Sequence, residues 1–149
     1  MQFQDIKTWL NQEFHYPVPE DYLSFLEQGD FTTTLRSYYI MDIENESVLE
    51  ISEWFTYDNL SEIYHNCVKE NLIEKYYLPV FDSCGCTVVI NCNPQSDTYG
   101  QVFMRTPAGY YDETLQTNVY MELDFVAKTF DDLIHNLKSA EELEEMGIF

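Results

Sequence analysis

Residues 76–92 read YYLPVFDSCGCTVVINC. Aromatic and branched side chains from Tyr76 to Asp82 predict one strand, and Cys86 to Cys92 predicts a second. The small residues Ser83-Cys84-Gly85 between them predict a turn. Strands joined so closely pair antiparallel, because a parallel return needs a crossover of a dozen or more residues. Pro79 has no N–H to give to a ladder, so it belongs near a sheet edge or at a bulge.

Upstream, residues 37–42 (SYYIMD) and 47–51 (SVLEI) predict a hairpin around the polar stretch Ile43-Glu44-Asn45-Glu46. A helix is predicted from Asn59 to about Ile73. Leu60, Ile63, Tyr64, Cys67 and Val68 form its apolar stripe, and Asn59 with Glu62 resembles a capping box. Downstream, Gln101–Arg105 predicts a short strand, Thr106–Asn118 a connection and Val119–Phe125 another strand. Helices are predicted at both ends. Phe3, Ile6 and Leu10, with Trp9 and Phe14 near the same stripe, give the first its apolar side, and Pro17 and Pro19 stop it. Pro19, Glu20 and Asp21 open a second that Gly29 closes. Thr129 with Asp132, and Ser139 with Glu142, cap two short helices at the far end. Helices at both ends with antiparallel strands between them predict an α+β fold: one two-layer domain over residues 1–149, its sheet mainly antiparallel and its helices on one face.

Of 149 residues, 27 are Asp or Glu and only 7 are Lys or Arg, a formal net charge of −20. The chain is 45% hydrophobic and 16% aromatic with 5 Gly and 5 Pro, too apolar for a disordered polyanion. A surface so negative repels phosphate backbones and anionic headgroups, which disfavours nucleic acid and membrane surfaces and favours a basic protein partner. Residues 1–10 (MQFQDIKTWL) are amphipathic and carry Asp5 and Lys7, unlike a signal peptide. With no long apolar run, the expected location is the cytoplasm, and Cys67, Cys84, Cys86 and Cys92 are expected as reduced thiols.

No pattern of catalytic chemistry emerges. His15, His65 and His135 stand singly with no H-E-x-x-H pair, and there is no nucleophile elbow, dinucleotide fingerprint or P-loop. Cys84-Gly85-Cys86 has C-x-C rather than C-x-x-C spacing and, even with Cys92, no second knuckle. The reading is a protein that is not an enzyme, with no catalytic residues, cofactor or metal.

The informative feature is where the charge lies. No Lys or Arg occurs between Arg36 and Lys69, where Asp42, Glu44, Glu46, Glu50, Glu53, Asp58 and Glu62 interleave with Trp54, Phe55 and Tyr57. Aromatic anchors among carboxylates that steer a basic partner describe a protein-binding surface. Asp42, Glu44, Glu46, Glu50, Glu53, Trp54, Tyr57 and Asp58 are its candidate residues. The competing reading places Trp54 and Phe55 in the core and leaves the acids as a solvated face. A second acid-only stretch holds Asp112, Glu113, Glu122 and Asp124.

Four segments together resemble the SUKH superfamily, the domain shared by bacterial immunity proteins and a fungal cell-wall-synthesis regulator. They are Val18-Pro19-Glu20-Asp21-Tyr22-Leu23-Ser24-Phe25-Leu26 with Gly29; Leu78-Pro79-Val80-Phe81-Asp82 with Gly85; Gly100-Gln101-Val102-Phe103; and Val126-Ala127 through Phe130-Asp131-Asp132-Leu133-Ile134. They occur in the family's order between about Phe3 and Leu137. Gly29-Asp30 stands where a glycine pair is usual, and Met104-Arg105 where an aromatic often follows. The resemblance implies a non-enzymatic α+β binding domain, often encoded beside a polymorphic toxin that it blocks. The expected function is an immunity protein that neutralises a cognate toxin domain, a nuclease being the kind whose basic groove fits the charge. The alternative is a regulatory scaffold in a signalling or cell-envelope pathway. The resemblance carries no interface residue, so the candidates rest on the charge pattern, and oligomeric state stays open.

Overall fold

The computed structural model describes residues 2–29, 31, 36–105, 110–119 and 123–149. Its elements run α1 (Phe3–Trp9), α2 (Glu20–Gln28), β1 (Arg36–Asp42), β2 (Ser47–Glu50), β3 (Glu53–Trp54), α3 (Leu60–Lys69), β4 (Tyr77–Ser83) and β5 (Cys86–Asn91). They continue as β6 (Val102–Arg105), β7 (Tyr110–Asp112), β8 (Thr117–Val119), β9 (Asp124–Ala127), α4 (Phe130–His135), β10 (Lys138–Ser139) and α5 (Ala140–Glu145). The fold is α+β with antiparallel pairing throughout the described ladders.

The segment 76–92 forms the centre of a five-stranded sheet of order β3-β4-β5-β6-β9. Its register shifts between Pro79 and Phe81, so Pro79 sits at a bulge inside the sheet. The hairpin turn puts Cys84 at φ 51° and Gly85 at φ 91°, the positive values that let a two-residue turn follow the strands' twist. Two bonds hold the cysteine there: Cys84 N–H donates to Ser52 Oγ at 2.8 Å, and Gly85 N–H to Asp82 Oδ2 at 3.2 Å.

β4 and β5 are buried on both faces, where the sequence predicts helices covering one. Phe81 and Val88, paired across the ladder, face Trp54, whose ring meets Phe25 of α2 at 4.8 Å and Phe130 of α4 at 6.2 Å. Thr87, Val89 and Asn91 point the other way, as does Arg105, which pairs with Thr87. Arg105 is fully buried, and its guanidinium meets the Glu74 carboxylate at 3.5 Å.

A second sheet, β10-β1-β2, contains the predicted hairpin. β10 was not predicted; it adds to β1, and Arg36 meets Glu142 of α5 at 3.2 Å. β7 and β8 form a hairpin where the sequence predicts a connection. The strand predicted over 119–125 lies partly outside the described residues, and its described ends belong to β8 and β9. Residue 122, one of the acids singled out above, lies outside the description too.

The helix caps follow local chemistry. Thr129 Oγ1 accepts from Asp132 N–H at 3.0 Å, and Ser139 and Glu142 form a reciprocal capping box. Gly29 ends α2 at φ 66°. Asn59 departs from expectation: its side chain accepts from Thr56 N–H at 2.7 Å instead of capping α3, which stops at Lys69 rather than near Ile73. α1 passes into a π-helical turn, Leu10–Phe14, closed by His15 at φ 70°.

Candidate partner interface

The acidic candidates and the aromatic ones separate. Asp42 closes β1 and organises the turn after it. Its carboxylate accepts from Glu44 N–H at 3.0 Å, Asn45 N–H at 3.4 Å and Asn45 Nδ2 at 2.6 Å. The Asn45 side-chain bond chiefly, helped by the two backbone donors, holds its pKa below the usual carboxylate range. Ile43, Glu44, Asn45 and Glu46 are therefore presented as a fixed, exposed loop. Ile43 is 61% exposed between Asp42 and Glu44, and Glu46 turns the chain at φ 53°.

The acid run continues along sheet edges. β2 is an outer strand of the smaller sheet and β3 of the larger, with exposed Glu50 and Glu53 on either side of the Ile51-Ser52 connection. Glu53 pairs directly with Asp82 across the β3–β4 ladder. Like charges opposite each other are unfavourable, and a cation placed between them relieves the repulsion. Asp58 is exposed beyond β3.

Trp54 and Tyr57 are turned inward. Trp54 is 8% exposed and belongs to the core with Phe55, so the reading that places them inside describes their positions. Tyr57 is half-buried; its O–H donates to the Leu26 carbonyl at the end of α2, and its ring meets Phe31 at 5.2 Å and Phe3 at 6.2 Å. Burial, with Glu27 nearby, raises the Tyr57 pKa. These rings anchor the acidic strip to the protein.

The apolar surface beside the strip is a groove the sequence did not disclose. It is an open hollow of about 640 Å³ between the two sheets. Tyr38, Met41 and Val48 come from the smaller sheet, Met104 and Phe125 from β6 and β9, and Phe149 from the chain end. Phe125 is 54% and Phe149 56% exposed, and Phe149 stacks edge-on against Tyr38 at 5.1 Å. Glu50 and Asp124 supply its carboxylates, and no Lys, Arg or His stands among the described lining residues. Cys84 and Cys86 also line it, and Cys84 Sγ donates to Glu50 Oε2 at 3.6 Å. Strand alternation hints at the outward Phe125, but the groove joins residues from both halves of the chain.

All four cysteines are free thiols. Cys92 lies in the core just past the far end of β5, about 20 Å of extended chain from Cys86. Among the described residues, no group of three or more His, Cys, Asp or Glu is placed to hold a metal. His15, His65 and His135 are exposed on separate elements. No helix among the described residues is long and apolar enough to cross a membrane. The acidic strip and the groove beside it place carboxylates and apolar side chains next to one another.

The model of the SMI1 / KNR4 family (SUKH-1) matches residues 5–136, nearly the whole chain. No curated protein matches it.

Proposed function

Because the chain belongs to the SMI1 / KNR4 family (SUKH-1), we propose that it works by binding another protein, as a cytoplasmic, non-catalytic immunity protein that neutralises a basic toxin domain. A nuclease is the kind of toxin that fits, since its substrate groove must be positive to hold a polyanion. One observation carries the reading: the exposed acid run Asp42, Glu44, Glu46, Glu50, Glu53 and Asp58, uninterrupted by Lys or Arg, on a chain of net charge −20. Such a strip draws a basic domain in at long range, and the bound protein then excludes substrate by occupying the cleft.

The test is a pull-down from the source cell's lysate at low and moderate salt, followed by assay of the captured domain with and without the chain. Recovery of a basic domain whose toxic activity is lost on binding supports the proposal. Recovery of signalling or cell-envelope proteins only, at both salt levels, favours the regulatory scaffold instead.

A further inference from the structure

We propose that the groove between the two sheets is an anchoring subsite for a protein segment that presents bulky apolar side chains flanked by lysine or arginine. The proposal rests on the protein-binding reading and supplies what the acidic strip lacks, because Trp54 and Tyr57 are committed to packing within the protein.

The groove has the anatomy of a binding surface. Its lining carries apolar side chains among polar ones: Phe125 and Phe149 are each more than half exposed, with Met41, Val48 and Met104 half-buried beside them, and Ser47, Ser83, Glu50 and Asp124 add polar groups. Exposed apolar surface gathered in one hollow, rather than scattered singly, marks interaction sites. Its two methionines are unbranched and polarizable, so the floor adapts to different side chains. Its volume of about 640 Å³ gives room for the side chains of a partner segment lying in an open hollow.

Charge selects the occupant. Glu50 and Asp124 belong to the lining, and Met41 and Ser47, also in the lining, adjoin the acidic turn that starts at Asp42. An anionic ligand would meet carboxylates with no cation among the described lining residues. A second copy of the chain would bring another net charge of −20. A segment with apolar anchors and basic flanks fits both floor and rim, burying the anchors while its cations meet Glu50, Asp124 and the turn.

The test uses two fluorescein-labelled peptides. One carries Phe-Ser-Leu flanked on both sides by Lys-Arg-Lys; the other replaces Phe and Leu by Ser. Anisotropy measures affinity, and the rate of Cys84 and Cys86 alkylation reports whether the groove is covered. The anchored peptide is expected to bind at least about tenfold more tightly than the serine peptide, as burial of one large apolar side chain allows, and to slow alkylation. Phe125→Ser and Phe149→Ser, made at exposed positions, each reduce that preference while leaving the serine peptide's salt-dependent binding in place. Equal binding of the two peptides by the unaltered protein, or a preference that survives both substitutions, overturns the groove proposal and leaves the acidic-surface reading standing. Failure of both peptides to bind at low salt removes both together.

Discussion

Trp54 and Phe81 stand opposite one another across the β3–β4 ladder, ring centroids 5.1 Å apart and planes inclined at 67°. The pair joins the two-residue edge strand β3 to β4, and Phe25 and Phe130 close over it from α2 and α4. Trp54→Ala removes the ring that all three neighbours share. It is expected to cost about 3–5 kcal/mol, the range for emptying a buried aromatic site, read as a lower urea midpoint. Under conditions where the variant stays folded, partner binding is expected to persist. A variant of normal stability that has lost its partner would return Trp54 to the interface.

Two side chains cap the start of α4, one from outside it. Thr129 Oγ1 accepts from Asp132 N–H, while Asp21 of α2 accepts from Asp131 N–H at 3.1 Å and from Tyr22 N–H at 2.7 Å. Thr129→Ala and Asp21→Ala are each expected to lower stability by about 1 kcal/mol. Because both serve one helix terminus, the double variant is expected to depart from additivity in chemical denaturation.

Burial should divide the thiols and limit alkaline stability. It pushes Cys67 from 9.0 up to about 11, against a hydrogen bond from Thr87 that lowers it, and raises Cys92 further. At pH 8, Cys84 is expected to react first with a thiol reagent and Cys86 next, with Cys67 and Cys92 reacting only after unfolding. Burial also holds Tyr64 and Tyr77 at about 12, above the ordinary 10.0. The fold keeps these groups neutral while the unfolded chain ionises earlier. Their contribution is thus complete below pH 9 and lost as pH rises through about 11 and 12. Thermal melts from pH 8 to 12 should show the decline beginning near pH 9; a flat profile would contradict it.

With 27 acids against 7 Lys and Arg, self-repulsion should weaken the fold at low ionic strength. Adding sodium chloride to about 0.1 M, where the Debye length is about 10 Å, is expected to raise the melting temperature. Calorimetry across a salt series checks this, and an unchanged midpoint would show that the acids are already spaced beyond mutual influence.

Features set by neighbouring residues were legible in the sequence. The Thr129 and Ser139 caps, Gly29 at the end of α2 and the bulge at Pro79 each depend on a few adjacent atoms. Asn59 misled because its oxygen had a second nearby donor in Thr56 N–H. The β7–β8 hairpin escaped because its strands are three residues each and its turn ends on Gln116 at φ 54°, without the glycine that announces such turns. Trp54 was ambiguous because a two-residue strand shows no period from which an inward face can be read. The acidic half of the interface was readable as composition. Its apolar half was not, since Val48, Met104, Phe125 and Phe149 meet only after the two sheets come together.

If the exposed acids draw in and hold a basic toxin domain, the turn after Asp42 is where a change of charge tells most directly. The measurement is the association rate with the captured basic domain across a salt series, for the unaltered protein and for Glu44→Lys with Glu46→Lys. Both positions are exposed, so the fold should tolerate the exchange. Association is expected to slow by about tenfold or more at low salt and to depend less steeply on ionic strength. Identical rates and identical salt dependence in the two proteins would contradict it.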